Sequence, residues 1–183
     1  MQLLNAIDSR SSALRLGDPA PGRADLERIL AAGVRAPDHG RLEPWRFRVL
    51  RGDARQVLAD ALAEFTRRTQ VAASPEQIEA SRAKALRAPV VVVVAARIRR
   101  GHKVPEIEQV LAVAAALQNM VLAAHALAFG TMWKTGPAAY DADVKRALGL
   151  EADDHIVGFL YLGTAQAHAP VRPAQLHACV RWD

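Results

Sequence analysis

An α+β fold, with a small sheet covered by helices on both faces, follows from three features of this 183-residue chain. Segments with a helical period outnumber segments that read as strands, of which there are only about four. One of those, APVVVVVAAR, carries five consecutive valines and leaves no polar face, as an interior strand does. About half of the residues are apolar, enough for one sizeable core, so the length points to one domain.

The elements follow in chain order. A short helix precedes SRSSALR (Ser9 to Arg15), a segment expected to be a loop. ADLERILAAGVR, from Ala24 to Arg35, places Leu26, Ile29, Leu30, Gly33 and Val34 on one helical face, and Pro37 stops it. RFRVLRG alternates apolar and basic residues, as a half-buried strand does. DARQVLADALAEFTRRTQ resumes a helical period with Asp53 as its expected cap, and SPEQIEASRAKALR is a further helix. After the valine strand comes the apolar stretch VLAVAAALQNMVLAAHALAFG. It approaches the ~20 residues that span a bilayer. Gln118, Asn119 and His125 interrupt it, however, and Glu106 and Glu108 behind Pro105 mark a helix start, so a buried helix in a domain centre or a subunit interface is expected. TMWKTG is a short strand or turn, Asp141 to Leu150 a helix, and HIVGFLYLGTA a second buried strand. The tail QAHAPVRPAQLHACVRWD has little periodicity.

Composition narrows the function. The net charge is +5, but the basic residues are scattered; ARIRRGHK is the one dense run, and it reads as a solvated loop rather than a nucleic-acid element. The single cysteine, Cys179, provides neither a disulfide framework nor a paired redox motif. The N-terminus lacks a basic n-region, so a cytoplasmic location is expected. No GxSxG elbow, HExxH, P-loop or GxGxxG is present, and six dispersed histidines predict no metal site.

Three segments remain as candidates for holding a phosphorylated, flat, aromatic ligand. Arg10, Ser11, Ser12 and Arg15 offer guanidinium groups and hydroxyls suited to a phosphate. RAPDHG adds Arg35 and His39 on a proline-stiffened loop, and Trp133, Lys134 and Thr135 place an aromatic ring, a cation and a hydroxyl beside Gly136.

SRSS, ILAAGVRAPDHGRLEPWRFRVL, KVPEIEQ, FGTMWKTG and IVGFLYLGT, in this order from about Leu4 to Thr164, resemble the nitroreductase family in its minimal, YdjA-type branch of NAD(P)H nitroreductases. The resemblance implies one FMN-binding nitroreductase-like domain over residues 1–183, with 165–183 an irregular tail and a small, mostly antiparallel mixed sheet. It also implies an intertwined homodimer with FMN at the subunit interface. Arg10, Ser11 and Ser12 inherit a flavin contact, although Ser11 stands where the family usually carries a second arginine. Arg35 and His39 inherit an approach to the flavin from the partner subunit, and Trp133, Lys134 and Thr135 a flavin-contacting segment. Ala123, Ala124, His125, Ala126, Leu127 and Ala128 match a nicotinamide-binding region. Glu108 and Gln109 are an expected hydrogen-bonding pair at the interface, whereas Trp45 and Phe47 are expected to pack.

The activity so implied is hydride transfer from NADH or NADPH to FMN, followed by ping-pong reduction of a nitroaromatic, quinone-like or related acceptor, with no catalytic residue besides the flavin. Arg10 or Lys134 would stabilise the reduced ring. Alternatives are a flavin carrier or sensor without turnover, or ene reduction, dehalogenation or dehydrogenation on the same scaffold.

Overall fold

A computed structural model describes residues 2–183. Its centre is the valine strand β3 (Val90–Ala96), every residue of which is buried. It pairs on one side with β2 (Trp45–Arg51) and on the other with β5 (His155–His168). The far edge of β5 is shared end to end by β4 (Gly130–Lys134), opposite Phe159–Gly163, and β1 (Ala13–Gly17), opposite Thr164–His168.

Alternation along the strands builds two cores. Val91, Val93 and Ala95 meet α3 (Gln56–Thr69) and α6 (Ala142–Ala147) through Leu58, Leu62 and Val144, with α4 (Pro75–Lys84) packed on α3. Val90, Val92 and Val94 meet α2 (Arg23–Gly33) and α5 (Glu106–Ala126) through Ile29, Val113, Leu117 and Met120. Helices on both faces explain why β3 shows no polar alternation. Trp45, Phe47 and Val49 of β2 pack against the α2/α5 core, as expected of Trp45 and Phe47.

Helix α5 is long and apolar enough to cross a membrane by composition. Here it lies against α2 and the sheet; Gln118 is exposed, Asn119 Nδ2 donates to the Ala32 carbonyl at 3.2 Å, and His125 Nε2 lies 2.9 Å from Ser9 Oγ on α1 (Leu3–Ser9). A Cβ at Gly33 would meet Met120 Cγ at 2.9 Å, so the missing side chain is what lets α2 and α5 approach.

Several expectations are corrected. All four strand pairings among the described residues are antiparallel, where a mixed sheet was implied. The α5 crossover joins β3 to β4, which run the same way but on opposite sides of β5, so it makes no adjacent parallel pair. SRSSALR is not wholly loop, since β1 begins at Ala13. Its partner β5 runs on through His168, so the irregular tail begins at Ala169 rather than at residue 165. Asp53 does not cap α3: a 3-10 turn over Gly52–Arg55 intervenes and no side chain caps the helix. Helix α2 ends at Gly33, two residues short of Arg35 and ahead of Pro37. Ser74, by contrast, forms a full capping box with Gln77 at the start of α4.

Candidate functional site

The meeting of β1 and β4 along β5 positions the site. Helix α1 ends at Ser9, and the chain runs through Arg10, Ser11 and Ser12 into β1; the Ser12 carbonyl accepts from Ala169 N–H at 2.8 Å, which anchors the C-terminal segment beside it. Arg10, Ser11 and Ser12 line a cavity of about 430 Å³ with Ile7 and residues of that segment. Ser12 also lines a neighbouring cavity of about 480 Å³ with Arg15, Arg87, Trp133 and Lys134. Arg87 and Lys134 in turn border a third, of about 340 Å³, together with Thr135, Lys84 and Tyr161. Thus six of the expected residues, Arg10, Ser11, Ser12, Trp133, Lys134 and Thr135, fall along one run of adjoining cavities.

Charge is the most informative property of this run. Among the described residues, Arg10, Arg15, Lys84, Arg87 and Lys134 enter no ion pair. No carboxylate lines the second or third cavity. Cations gathered with no carboxylate between them raise the local positive potential and favour an anion. The third cavity also has apolar walls, from Leu62, Phe65, Met132 and Phe159. Its hydroxyls are ordered: Thr66 Oγ1 donates to Ser81 Oγ at 2.7 Å, and Lys84 Nζ donates to the same oxygen at 3.3 Å. Burial pushes the Tyr161 hydroxyl up to about 12, with Arg87 pulling in the opposite direction.

Trp133 departs from the expected cluster in one respect. Strand alternation sends its ring to the face opposite Met132 and Lys134, where Nε1 donates to the Val157 carbonyl at 3.2 Å. A Cβ at Gly158 would sit 2.3 Å from that nitrogen, so glycine makes room for the indole. Trp133 therefore borders the second cavity from a ring packed over β5.

Arg35 and His39 do not line these cavities. Both are exposed on the loop after α2, and His39 Nδ1 lies 2.5 Å from Glu108 Oε2 at the start of α5. The loop is tightly wound, with positive φ at Gly40, Arg41 and Glu43, and Asp38 Oδ2 accepting from Glu43 N–H at 2.6 Å. Strained backbone of this kind collects at functional positions. The Glu108–Gln109 pair is corrected. Gln109 is buried and clasps its own chain, accepting from Arg99 N–H at 2.8 Å and donating to the Arg99 and Val104 carbonyls. It pins the basic loop after β3 to α5.

Of the segment matched to nicotinamide binding, Ala123, Ala126 and Leu127 border a separate hollow beside Arg28, Ala124 is buried against the sheet, and Ala128 is exposed. His125 faces α1. Ser9 Oγ donates to the Asn5 carbonyl at 2.6 Å, so its oxygen accepts from His125 Nε2–H. Burial, then Arg10 and then His168, hold the His125 pKa below its ordinary value, which favours this neutral ring.

Ser81, Lys84, Arg87 and Tyr161 were not among the sequence-derived candidates, whereas Arg15 was, as part of SRSSALR. The four come from α4, the α4–β3 loop and β5, and only the folded packing brings them to one place.

The fold and these cavities define an α+β protein whose basic, partly apolar site suits a phosphorylated aromatic ligand. Comparison with known proteins identifies the class: the nitroreductase family model matches residues 7–164, and the chain belongs to that family. It is 38% identical over 169 residues to the "Putative NAD(P)H nitroreductase YdjA" of Escherichia coli K12, covering 92% of this chain and 91% of the relative. The crystal structure of a "putative nitroreductase in complex with FMN" from Desulfovibrio desulfuricans is 29% identical with a TM-score of 0.76, covering 100% of this chain and 98% of that one. A nitroreductase-like protein from Bacillus cereus, 24% identical and covering 100% and 96% of the two chains, shares the fold with a TM-score of 0.84.

Proposed function

We propose that this protein is an FMN-dependent oxidoreductase that takes hydride from NAD(P)H and reduces small nitroaromatic, quinone-like or related acceptors in ping-pong order. The observation that carries the reading is the run of cavities in which five unpaired cations meet hydroxyls and apolar walls, in a chain of this family. Those residues fit FMN. Arg10, Ser11, Ser12 and Arg15 would hold the phosphate, because guanidinium groups and hydroxyls suit an oxyanion. Leu62, Phe65, Met132 and Phe159 would flank the ring system, with Lys134, Arg87 and Lys84 supplying positive charge at its polar edge. When bound, FMN supplies two-electron transfer between a nicotinamide donor and an acceptor. The protein's part is to bind, to orient and to stabilise negative charge, which requires no acid or base of its own.

We infer also that the whole chain acts as one domain in a homodimer located in the cytoplasm. Exposed apolar side chains support the dimer: Leu3, Leu4 and Ile7 on α1, Ile107 and Leu111 on α5, and Val171, Leu176, Val180 and Trp182 in the tail. A second copy covering them would bury upwards of about 2,000 Å². It would also bring its own Arg35 and His39 towards the site. The curated relative's name supports NADH or NADPH as donor, and the complexed structure supports FMN as cofactor.

An absorbance spectrum of the purified protein, before and after anaerobic addition of NADH or NADPH, tests the reading. A flavin band near about 450 nm that bleaches with either donor is expected. A band that neither donor bleaches would instead favour the carrier or sensor, and a protein that takes up no FMN would sink the proposal. A folded monomer retaining stoichiometric FMN would overturn the dimer.

A further inference from the structure

A second basic cavity, of about 440 Å³, lies near the β2 edge of the sheet and shares no residue with the run described above. Arg46, Arg48 and Arg97 line it, with Leu148, Leu150, Glu151 and Asp154. The strand register explains how the three arginines converge. Arg46 and Arg48 pair with Ala95 and Val93, and Arg97 N–H donates to the Pro44 carbonyl at 2.7 Å, extending the same ladder by one step. Alternation therefore places Arg46, Arg48 and Arg97 on the face that carries Leu50, Val93 and Ala95. That face carries the α3/α6 core further along, but at this end it opens to solvent: Arg46 is exposed and Arg48 half-buried, where Leu50 is buried. Three arginines are thereby gathered at one corner of the sheet.

The guanidinium groups have capacity to spare. Arg46 uses one nitrogen on the Trp45 and Glu43 carbonyls, at 2.7 and 3.3 Å, and Arg48 uses one on the Ala147 carbonyl at 3.3 Å. Among the described residues, none of the three enters an ion pair. The buried carboxylate at the cavity is already engaged, with Asp154 Oδ2 accepting from Glu151 N–H at 3.0 Å.

We propose that this corner is a second anion site, which takes the phosphate-type oxyanion of a small molecule in the fork of Arg48 and Arg97, with Arg46 beside them. Planar guanidinium forks favour bidentate capture of such groups. The site is independent of the flavin reading, because no residue is common to both.

Calorimetric titration of the full chain with pyrophosphate, at low salt and with and without excess FMN, tests it. With FMN in excess, which occupies the flavin site, one equivalent per chain is expected to bind. Arg48→Ala and Arg97→Ala should each weaken it about tenfold or more, and Arg97→Lys should recover only part of the loss. Arg97 is exposed and its side chain holds nothing in place, so R97A tests the site even if R48A misfolds. Absence of binding, binding abolished by FMN, or binding untouched by R97A would each overturn the proposal.

Discussion

The two faces of the sheet are packed to different ends. On the α2/α5 face the layers close completely: alanines and Gly33 bring the helices together, and Asn119 is tied to the Ala32 carbonyl. On the α3/α6 face the core is apolar in its middle only. At one end Lys84, Arg87 and Lys134 surround a cavity, and at the other Arg46, Arg48 and Arg97 do so. Small residues make one face a rigid support. Where helices stop short of the other face, charged side chains collect, and both proposed ligand sites occupy those ends.

If closure of the first face sustains the fold, filling it should have the largest effect. Gly33→Val would drive branched carbons into Met120 and the Ala116 carbonyl, and a loss of about 3 kcal/mol of stability is expected. Denaturant unfolding measures it. A G33V protein as stable as the parent would show that the helices have slack, and the contrast between the faces would fail.

Changes at the open face should act on ligand binding and spare the fold. Arg87→Ala and Lys134→Ala are each expected to lower FMN affinity about tenfold, the weight of a charge-assisted hydrogen bond. Because neither cation is ion-paired, stability without ligand should move by no more than about 0.5 kcal/mol. Fluorescence titration of FMN alongside thermal unfolding separates the two effects. Equal losses in both would make these cations structural.

The closed face was also the more legible one in sequence. Five valines declare a strand buried on both sides, and Asn119 and His125 within an apolar helix announce local partners. Strand β1 was missed for a physical reason: its pairing with β5 shifts register between Ala13 and Arg15 and again between Arg15 and Leu16, which breaks the period of two. The last turns of β5, Ala165 to His168, have little strand propensity and are held by β1. At the candidate site, motifs announced Arg10, Ser11, Ser12, Arg15 and Lys134, but no local pattern connects them to Lys84 and Arg87. The alternation of Trp133 and Lys134 onto opposite faces also stayed hidden while TMWKTG could be either strand or turn. Gln109 misled because a buried glutamine and an interface glutamine look alike until their partners are known.

Tyr161 offers the subtlest test of how open the second face is. It lines the flavin-side cavity yet is only 4% exposed, and burial pushes its hydroxyl up to about 12 from 10.0. The fold thus favours the neutral phenol. Below pH 10 the group is protonated in both states and stability is unaffected; between 10 and 12 the unfolded chain releases the proton first, so stability falls as pH rises. The loss attributable to this residue should reach roughly 1–1.5 kcal/mol near about pH 11. Comparing Tyr161→Phe with the parent isolates it, since other alkaline titrations are common to both chains. A shallower alkaline decline in Y161F is expected. Parallel declines would mean that water reaches the hydroxyl through the cavity and solvates the phenolate, making that end of the sheet more open than its packing implies.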